Sequence, residues 1–240
     1  MSLADEYRRQ KAWRTPLFDQ LPPLAGKTVL DLGCAIGDQS AELAARGADV
    51  IGVDGSDELL AVARARGIGD FRKGDLRALP NALADGIWAS FVAAYFVDFA
   101  PVLAKWARHL RPGGWIALVE IDDLFGHQPL SAQSKSLLDD YAREALAAKR
   151  YDFHRGHKLR DFLSRAGFVI TSERTVWDAE LSFDGPARPD VTRAWRNRFD
   201  RMQLLRERPG FEAMREDFLA GLGHPDHRSH AKVYACMGKL

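Results

Sequence analysis

Short apolar runs separated by helical patterns organise the first half of the chain. Residues 28–31 and 49–53 read as strands, and 70–73 as a shorter third. Residues 86–92 are apolar nearly throughout, as a central parallel strand is, and 115–121 make a fifth strand. Helices are predicted between them. The first covers 3–20 and is stopped by Pro22-Pro23. A second follows a glycine turn, carries Leu43 and Ala44, and ends at Gly47. A third is capped by Ser56, turns Leu59, Leu60 and Ala63 inward, and stops at Gly67. A fourth spans 99–110. Alternation of this kind predicts a doubly wound α/β sheet, and right-handed crossovers put helices on both faces.

The second half is more helical. Residues 131–150 place Leu137, Leu138, Tyr141, Ala145 and Leu146 on one face. A helix at 157–166 precedes a sixth strand at 168–177. A helix at 190–207 carries Val191, Trp195, Phe199, Met202 and Leu205 in one stripe, with Arg193, Arg196, Arg198, Arg201 and Arg206 expected to face solvent. A shorter helix covers 210–221 and a last strand 231–237. The chain shows no internal repeat and no low-complexity tract.

Composition narrows the function classes. The 240 residues are 46% hydrophobic and 28% charged, which suits a globular domain. Lys and Arg number 34 against 33 Asp and Glu, so no global field favours nucleic acid or a membrane surface. Two cysteines, Cys34 and Cys236, make neither a disulfide framework nor a metal spacing, and a cytoplasmic location is expected. No apolar run is long enough to span a bilayer, and residues 1–6 do not read as a signal peptide.

The chemistry concentrates in Thr28-Val29-Leu30-Asp31-Leu32-Gly33-Cys34-Ala35-Ile36-Gly37-Asp38. A buried strand runs into a glycine-rich turn and then a helix, with Asp31 at the strand end. Gly33 and Gly37 let the backbone turn tightly and approach a ligand. The second strand closes in Asp54, where an acidic residue accepts hydrogen bonds from ribose hydroxyls in related nucleotide folds. Gly74-Asp75-Leu76 follows the third strand, and Arg111-Pro112-Gly113-Gly114 precedes the fifth. The third glycine of the dinucleotide fingerprint is missing, which disfavours a dinucleotide oxidoreductase.

In this order and spacing, these motifs resemble the class I S-adenosylmethionine-dependent methyltransferases, well over 25–125 and moderately over 155–177. Ala35 stands where the family more often has glycine. The resemblance implies a Rossmann-like seven-stranded sheet, mostly parallel with an antiparallel last strand. It implies one domain over 1–240: an N-terminal helix in 1–24, a cofactor-binding core in 25–125, and helical insertions at 126–156 and 178–229 that roof the substrate. S-adenosylmethionine is the implied cofactor. Asp31 would lie near its methionine portion and Asp54 would accept from its ribose, while Gly33, Ala35, Gly37, Gly55 and Ser56 would line the same cofactor pocket. Asp75 and the Leu76 N–H would meet adenine, and Ser90 and Phe91 lie in the segment under the sulfonium.

Methyl transfer is an in-line displacement from an activated donor, so the protein mainly aligns the reactants and excludes water. A general base is needed only for a protonated acceptor. Tyr95, Glu120 and His154 are the catalytic candidates. Tyr7, Trp13, Tyr95, Asp122 and His157 are candidate substrate contacts, and Asp123 shares the acidic loop. His224, His227 and His230 invite a metal, but their loop holds Pro225 and no cysteine, and no metal is expected. The expected reaction is methyl transfer to an oxygen or nitrogen of a small molecule, with no membrane partner, nucleic acid disfavoured, and either a monomer or a homodimer. The alternatives are a transfer-RNA or protein methyltransferase and a non-catalytic S-adenosylmethionine-binding protein. An arginine of the 190–207 helix would suit an anionic substrate.

Overall fold

The apolar runs become the middle of one sheet. This computed structural model describes residues 3–240, with side chains described for residue 10 and from residue 12 onward. In chain order the first half holds α1 (Leu3–Phe18), β1 (Thr28–Leu32), α2 (Asp38–Ala45), β2 (Asp49–Asp54), α3 (Asp57–Arg64), β3 (Asp70–Lys73), β4 (Ala84–Ser90), α4 (Phe99–Ala107) and β5 (Leu110–Asp122). The second half holds β6 (His127–Gln128), α5 (Ala132–Ala147), α6 (Leu159–Arg165), β7 (Val169–Val176), α7 (Pro189–Arg201), α8 (Gln203–Arg206), α9 (Phe211–Leu222), β8 (Arg228–Ser229) and β9 (Lys232–Lys239).

The seven-stranded sheet runs β3-β2-β1-β4-β5-β9-β7. Strands β1 to β5 pair in parallel, and β9 inserts antiparallel between β5 and β7. The order reverses between β1 and β4, and a crevice opens there at the carboxyl ends of the strands. Burial follows position. The central β4 is buried at all but one residue, while β7, at the edge, is buried at none. Gly86 pairs with Trp115, and a Cβ there would lie 2.1 Å from the Trp115 ring, so only glycine lets the indole lie flat on the strand.

Two large apolar cores flank the sheet, and a small third cluster of Cys34, Leu60, Ala63 and Phe71 lies under α3. On one face α4 and α6 bury Phe99, Leu103, Trp106, Leu159 and Leu163 against Leu30, Ile87 and Ile116. The other core is larger. It runs from Trp13, Leu17 and Phe18 of α1 through Trp88 to Leu138, Trp195, Phe199, Met214 and Phe218 of α5, α7 and α9. The helical insertions are thus continuous with the sheet's own core. No described helix is long and apolar enough to cross a membrane.

Several boundaries differ from the sequence pattern. The helix expected over 190–207 breaks at Met202, whose φ of −85° and ψ of 71° end α7 and start α8. Strand β4 stops at Ser90, because Phe91 adopts a φ of 57° and turns the chain. Strand β5 begins before Arg111: Ala84 pairs with Leu110 and Gly86 with Trp115, so Arg111-Pro112-Gly113-Gly114 is looped out within the strand. The ribbon of β6 and β8 carried no periodic signal, being two residues a side.

Candidate functional site

The crevice at the strand reversal holds a cavity of about 800 Å³. One end is built largely on the turns that follow β1 and β2. Gly33 and Ala35 take positive φ, 74° and 47°, and both line the cavity. A side chain at Gly33 would strike Val92 Cγ2 at 2.4 Å, which keeps the turn against the loop after β4. Asp54 lines the same end. Its Oδ2 accepts from the Ala35 N–H at 2.9 Å and its Oδ1 from the Ser56 N–H at 2.9 Å. One carboxylate therefore ties the two loops together and faces the cavity between them. Gly55 also lines it, with nothing within 4 Å of an added Cβ.

Other expected cofactor residues stand behind this surface. Asp31 is 2% exposed, accepts from Ser40 Oγ at 2.5 Å, and does not line the cavity. Burial, with a smaller push from Asp54, raises its carboxyl to about 6. Gly37 starts α2 with a φ of 76° and packs near Phe71 and Ala63. Ser56 caps α3 by accepting from the Leu59 N–H at 3.3 Å. Leu76, Ser90 and Phe91 line the main cavity. Asp75 lines an adjoining, more open cavity of about 730 Å³ that shares Gly55, Leu76, Tyr95 and Phe96 with the first.

The largest contribution that sequence reasoning missed comes from α1. Arg14 is 2% exposed and lines the cavity. Its guanidinium donates to Ser90 Oγ at 2.6 Å, Gln39 Oε1 at 2.8 Å and Gln10 Oε1 at 2.6 Å, and lies 5.1 Å from the centre of the Phe91 ring. Gln39 Oε1 also accepts from Trp88 Nε1 at 2.6 Å. Arg14 thus brings a buried guanidinium to the cavity wall. Its only signal in the sequence was an arginine next to the buried Trp13. Trp13 itself does not line the cavity; its Nε1 donates to Asp178 Oδ2 at 2.5 Å and locks α1 to the 178–183 loop. The side chain of Tyr7 lies outside the described residues.

The other end of the cavity is assembled from distant segments: Tyr95, Ile121, Leu124, Tyr151, Leu181, Arg198, Arg201 and Met202. Of the three acid–base candidates, only Tyr95 is there. It packs edge-on to Tyr151, 4.9 Å between ring centres. Glu120 is wholly buried and outside the lining. Its Oε2 accepts from the Ala94 N–H and its Oε1 from the Ile121 N–H, both at 3.0 Å, and burial raises it to about 7. It fixes the loop that carries Tyr95. His154 is exposed and pairs through its backbone with Asp122. Asp122 Oδ1 and His157 Nδ1 lie 2.7 Å apart, also outside the lining. Asp152 and Arg155 hold the 151–155 segment. Asp152 pairs with Lys158 at 2.8 Å, and Arg155 donates to the Phe96 and Val97 carbonyls at 2.9 and 3.0 Å.

The expectation that the arginines of the 190–207 helix face solvent fails at Arg198, which is half-buried, while Arg201 is exposed as expected and still borders the cavity. The break at Met202 turns the end of α7 over the cavity, so Arg198 and Arg201 line it. Arg198 has a 15% exposed side chain, pairs with Glu180 Oε1 at 2.6 Å, and lies over the Trp195 ring. Of the three late histidines, His227 is buried and stacks on His127, Nδ1 of His127 lying 3.0 Å from Nε2 of His227. No three His, Cys, Asp or Glu side chains gather as a metal site among the described residues.

Residues 30–118 match a family model described as a methyltransferase domain. Over 122 residues the chain is 41% identical to a trans-aconitate 2-methyltransferase of Azoarcus sp. (strain BH72), covering 49% of this chain and 47% of that one. It is 35% identical over 108 residues to a ubiquinone biosynthesis O-methyltransferase of Hahella chejuensis (strain KCTC 2396), covering 42% and 45%. The chain spans about half the length of these curated relatives. A putative methyltransferase from Bacillus halodurans superposes with a TM-score of 0.61 over 94% of this chain and 96% of its own, at 17% identity, which shows a shared fold.

Proposed function

We propose, for a chain whose cofactor-binding half is a domain of the class I S-adenosylmethionine-dependent methyltransferases, that the whole protein transfers a methyl group to an oxygen or nitrogen of a small molecule. One observation carries the reading. A single cavity holds the Asp54 carboxylate and the buried Arg14 guanidinium at one end, and at the other a space lined by two tyrosines, two arginines and four apolar side chains.

The donor set fits the cofactor. Asp54 would accept from the ribose hydroxyls, and the open face of Gly55 leaves room beside it. Arg14 would take the amino-acid carboxylate. Leu76 would lie against the adenine, with Asp75 at its edge in the adjoining cavity. The bound cofactor supplies a methyl group already activated on a sulfonium. The protein's own residues then position and exclude. Phe91, Tyr95 and Tyr151 wall the transfer zone, Ile121, Leu124 and Leu181 keep it dry, and α7 closes the roof. A small acceptor is favoured by relatives named for trans-aconitate methylation and for ubiquinone biosynthesis.

Calorimetric titration of S-adenosylmethionine and S-adenosylhomocysteine tests this. Binding of both, weakened strongly by Asp54→Ala, is expected; a folded protein that binds neither refutes it. A second reading draws on the adjoining cavity, lined by Lys73, Arg77, Lys149 and Arg150 against one carboxylate, Asp75. A polyanionic acceptor such as transfer RNA would suit that rim, and a salt-sensitive mobility shift would reveal it.

A further inference from the structure

Glu120 stands on β5, wholly buried and outside the lining of the cavity. Both of its oxygens are used. Oε2 accepts from the Ala94 N–H and Oε1 from the Ile121 N–H, each at 3.0 Å. The second bond is local to β5. The first reaches across to the short turn Ala93–Tyr95 that follows β4. The ionised form suits both bonds, because a carboxylate offers acceptors only.

Ala94 passes the constraint on. It is buried, and while Glu120 holds its N–H, its carbonyl accepts from the Asp152 N–H at 2.9 Å. One residue of the turn is therefore fixed on two sides, by β5 and by the segment after α5. The two cavity tyrosines flank this relay: Tyr95 follows Ala94, and Tyr151 precedes Asp152. Their rings meet edge-on at 4.9 Å, and both line the cavity. The charge on Glu120 also reaches Tyr151 directly. Burial, and after it the Glu120 carboxylate, pushes the Tyr151 hydroxyl well above its ordinary range.

The surroundings leave the Glu120 carboxyl close to neutrality. Burial raises it to about 7, against the two N–H bonds and the Arg155 guanidinium, which favour its charge, while Asp152 opposes it. Asp152 is itself paired with Lys158 at 2.8 Å and Arg155 at 3.3 Å. Tyr234 lies opposite Glu120 on β9, and Asp122, next on the same face of β5, is paired with His157. A proton on one Glu120 oxygen would set an O–H against a backbone N–H and leave one of the two bonds unmade.

We propose that Glu120 is a positioning residue for the acceptor: its carboxylate, acting through Ala94 and Asp152, sets the Tyr95–Tyr151 wall, and a proton taken up there releases it. That this wall faces an acceptor rests on the methyl-transfer reading above; the relay itself does not. Glu120 acts on the wall from behind and touches no reacting atom.

The test is an NMR titration of the full chain from about pH 5.5 to 8.5, isotope-labelled in its amides, tyrosine rings and glutamate carboxyls. As pH falls through about 7, the Glu120 carboxyl carbon should report protonation, and the Ala94 amide proton should move upfield as it loses its carboxylate acceptor. The Tyr95 and Tyr151 rings should shift with the same midpoint. In Glu120→Gln, which cannot take up that proton, the amide and both rings should lose this titration. Its affinity for S-adenosylhomocysteine should stay within about threefold of the wild type, because residue 120 is outside the cavity. An Ala94 amide that titrates while both rings stay still reduces Glu120 to a local hydrogen bond and overturns the proposal. A ring titration that departs from the Glu120 carbon in the wild type, or persists in Glu120→Gln, belongs to another group and overturns it too. The wild-type comparison needs no variant to fold. Failure of the wild type to bind S-adenosylhomocysteine refutes the methyl-transfer reading instead and leaves the relay to be judged by the titration.

Discussion

The two ends of the cavity are built by different rules. At the cofactor end, much of the lining comes from β1, α2, β2 and their turns, joined by Arg14 of α1 and by Leu76, and much of the surface is backbone: the Gly33–Ala35 turn and the N–H groups tied to Asp54. At the acceptor end, the lining comes from segments more than a hundred residues apart, with Tyr95 after β4, Tyr151 after α5, Leu181 after β7 and Arg198 on α7. A local, backbone-defined site tolerates little change, because its shape is fixed by allowed φ and ψ. A site made of side chains from remote elements can be refitted by moving one helix. The first is suited to an invariant ligand and the second to a variable one.

That contrast can be broken from either side. The largest effect is expected from Asp54→Ala, which removes the carboxylate we propose for the ribose and the tie between the two loops. Affinity for S-adenosylhomocysteine should fall by about a hundredfold or more by calorimetry. Next is Gly33→Ala, which forces a side chain into a φ of 74° and against Val92. It should cost about 2 kcal/mol of unfolding free energy in a urea titration, with cofactor binding lost in step. Arg14→Met comes third. It should weaken S-adenosylhomocysteine about tenfold yet leave methylthioadenosine, which has no carboxylate, unchanged. Equal losses for both ligands would make Arg14 a packing residue.

The smallest effect belongs to the roof. His127 and His227 are buried together, and burial drives His127 down to about 3 and His227 in the same direction. In the unfolded chain a histidine takes up its proton near about 6.5. The depressed values mean that the pair's contribution is full above that pH and is lost as pH falls from there toward 3. His127→Phe should cost about 1 kcal/mol at pH 7.5, by leaving His227 unpaired, and the gap to the wild type should narrow at pH 5. A gap that stays constant between the two pH values would show that the pair does not drive the acid sensitivity.

The cofactor end was legible because its signals are short. Asp31 through Gly37, Asp54 and the Ser56 cap each sit within a few residues of the element they terminate. Even there, the sequence could not separate a residue that faces the cavity from one that supports it. Asp31 and Asp54 both end parallel strands, yet Asp31 is sealed beneath Ser40 while Asp54 faces the ligand space. The acceptor end was read poorly for the same reason in reverse. Glu120 and the Asp122–His157 pair follow β5, where a polar residue is a fair candidate, but the loops that would bring them to the cavity turn them toward backbone N–H groups and each other. Arg14 drew no reading in the 3–20 helical pattern, and Arg198 was one of five arginines expected to face solvent, with nothing to mark which of them could meet an anion.

Alternation of apolar strands with helices determined the sheet and its crossovers, because a parallel strand buried on both faces requires a nearly continuous apolar run and a helix to return the chain. The glycine turn and Asp54 marked the site we propose for a nucleoside, since positive φ and a strand-end carboxylate are local properties. Tertiary structure alone decided what covers that site. The kink at Met202, the Trp13–Asp178 tie and the Arg198–Glu180 pair depend on contacts between segments far apart in the chain, and no local pattern encodes the meeting of two such segments.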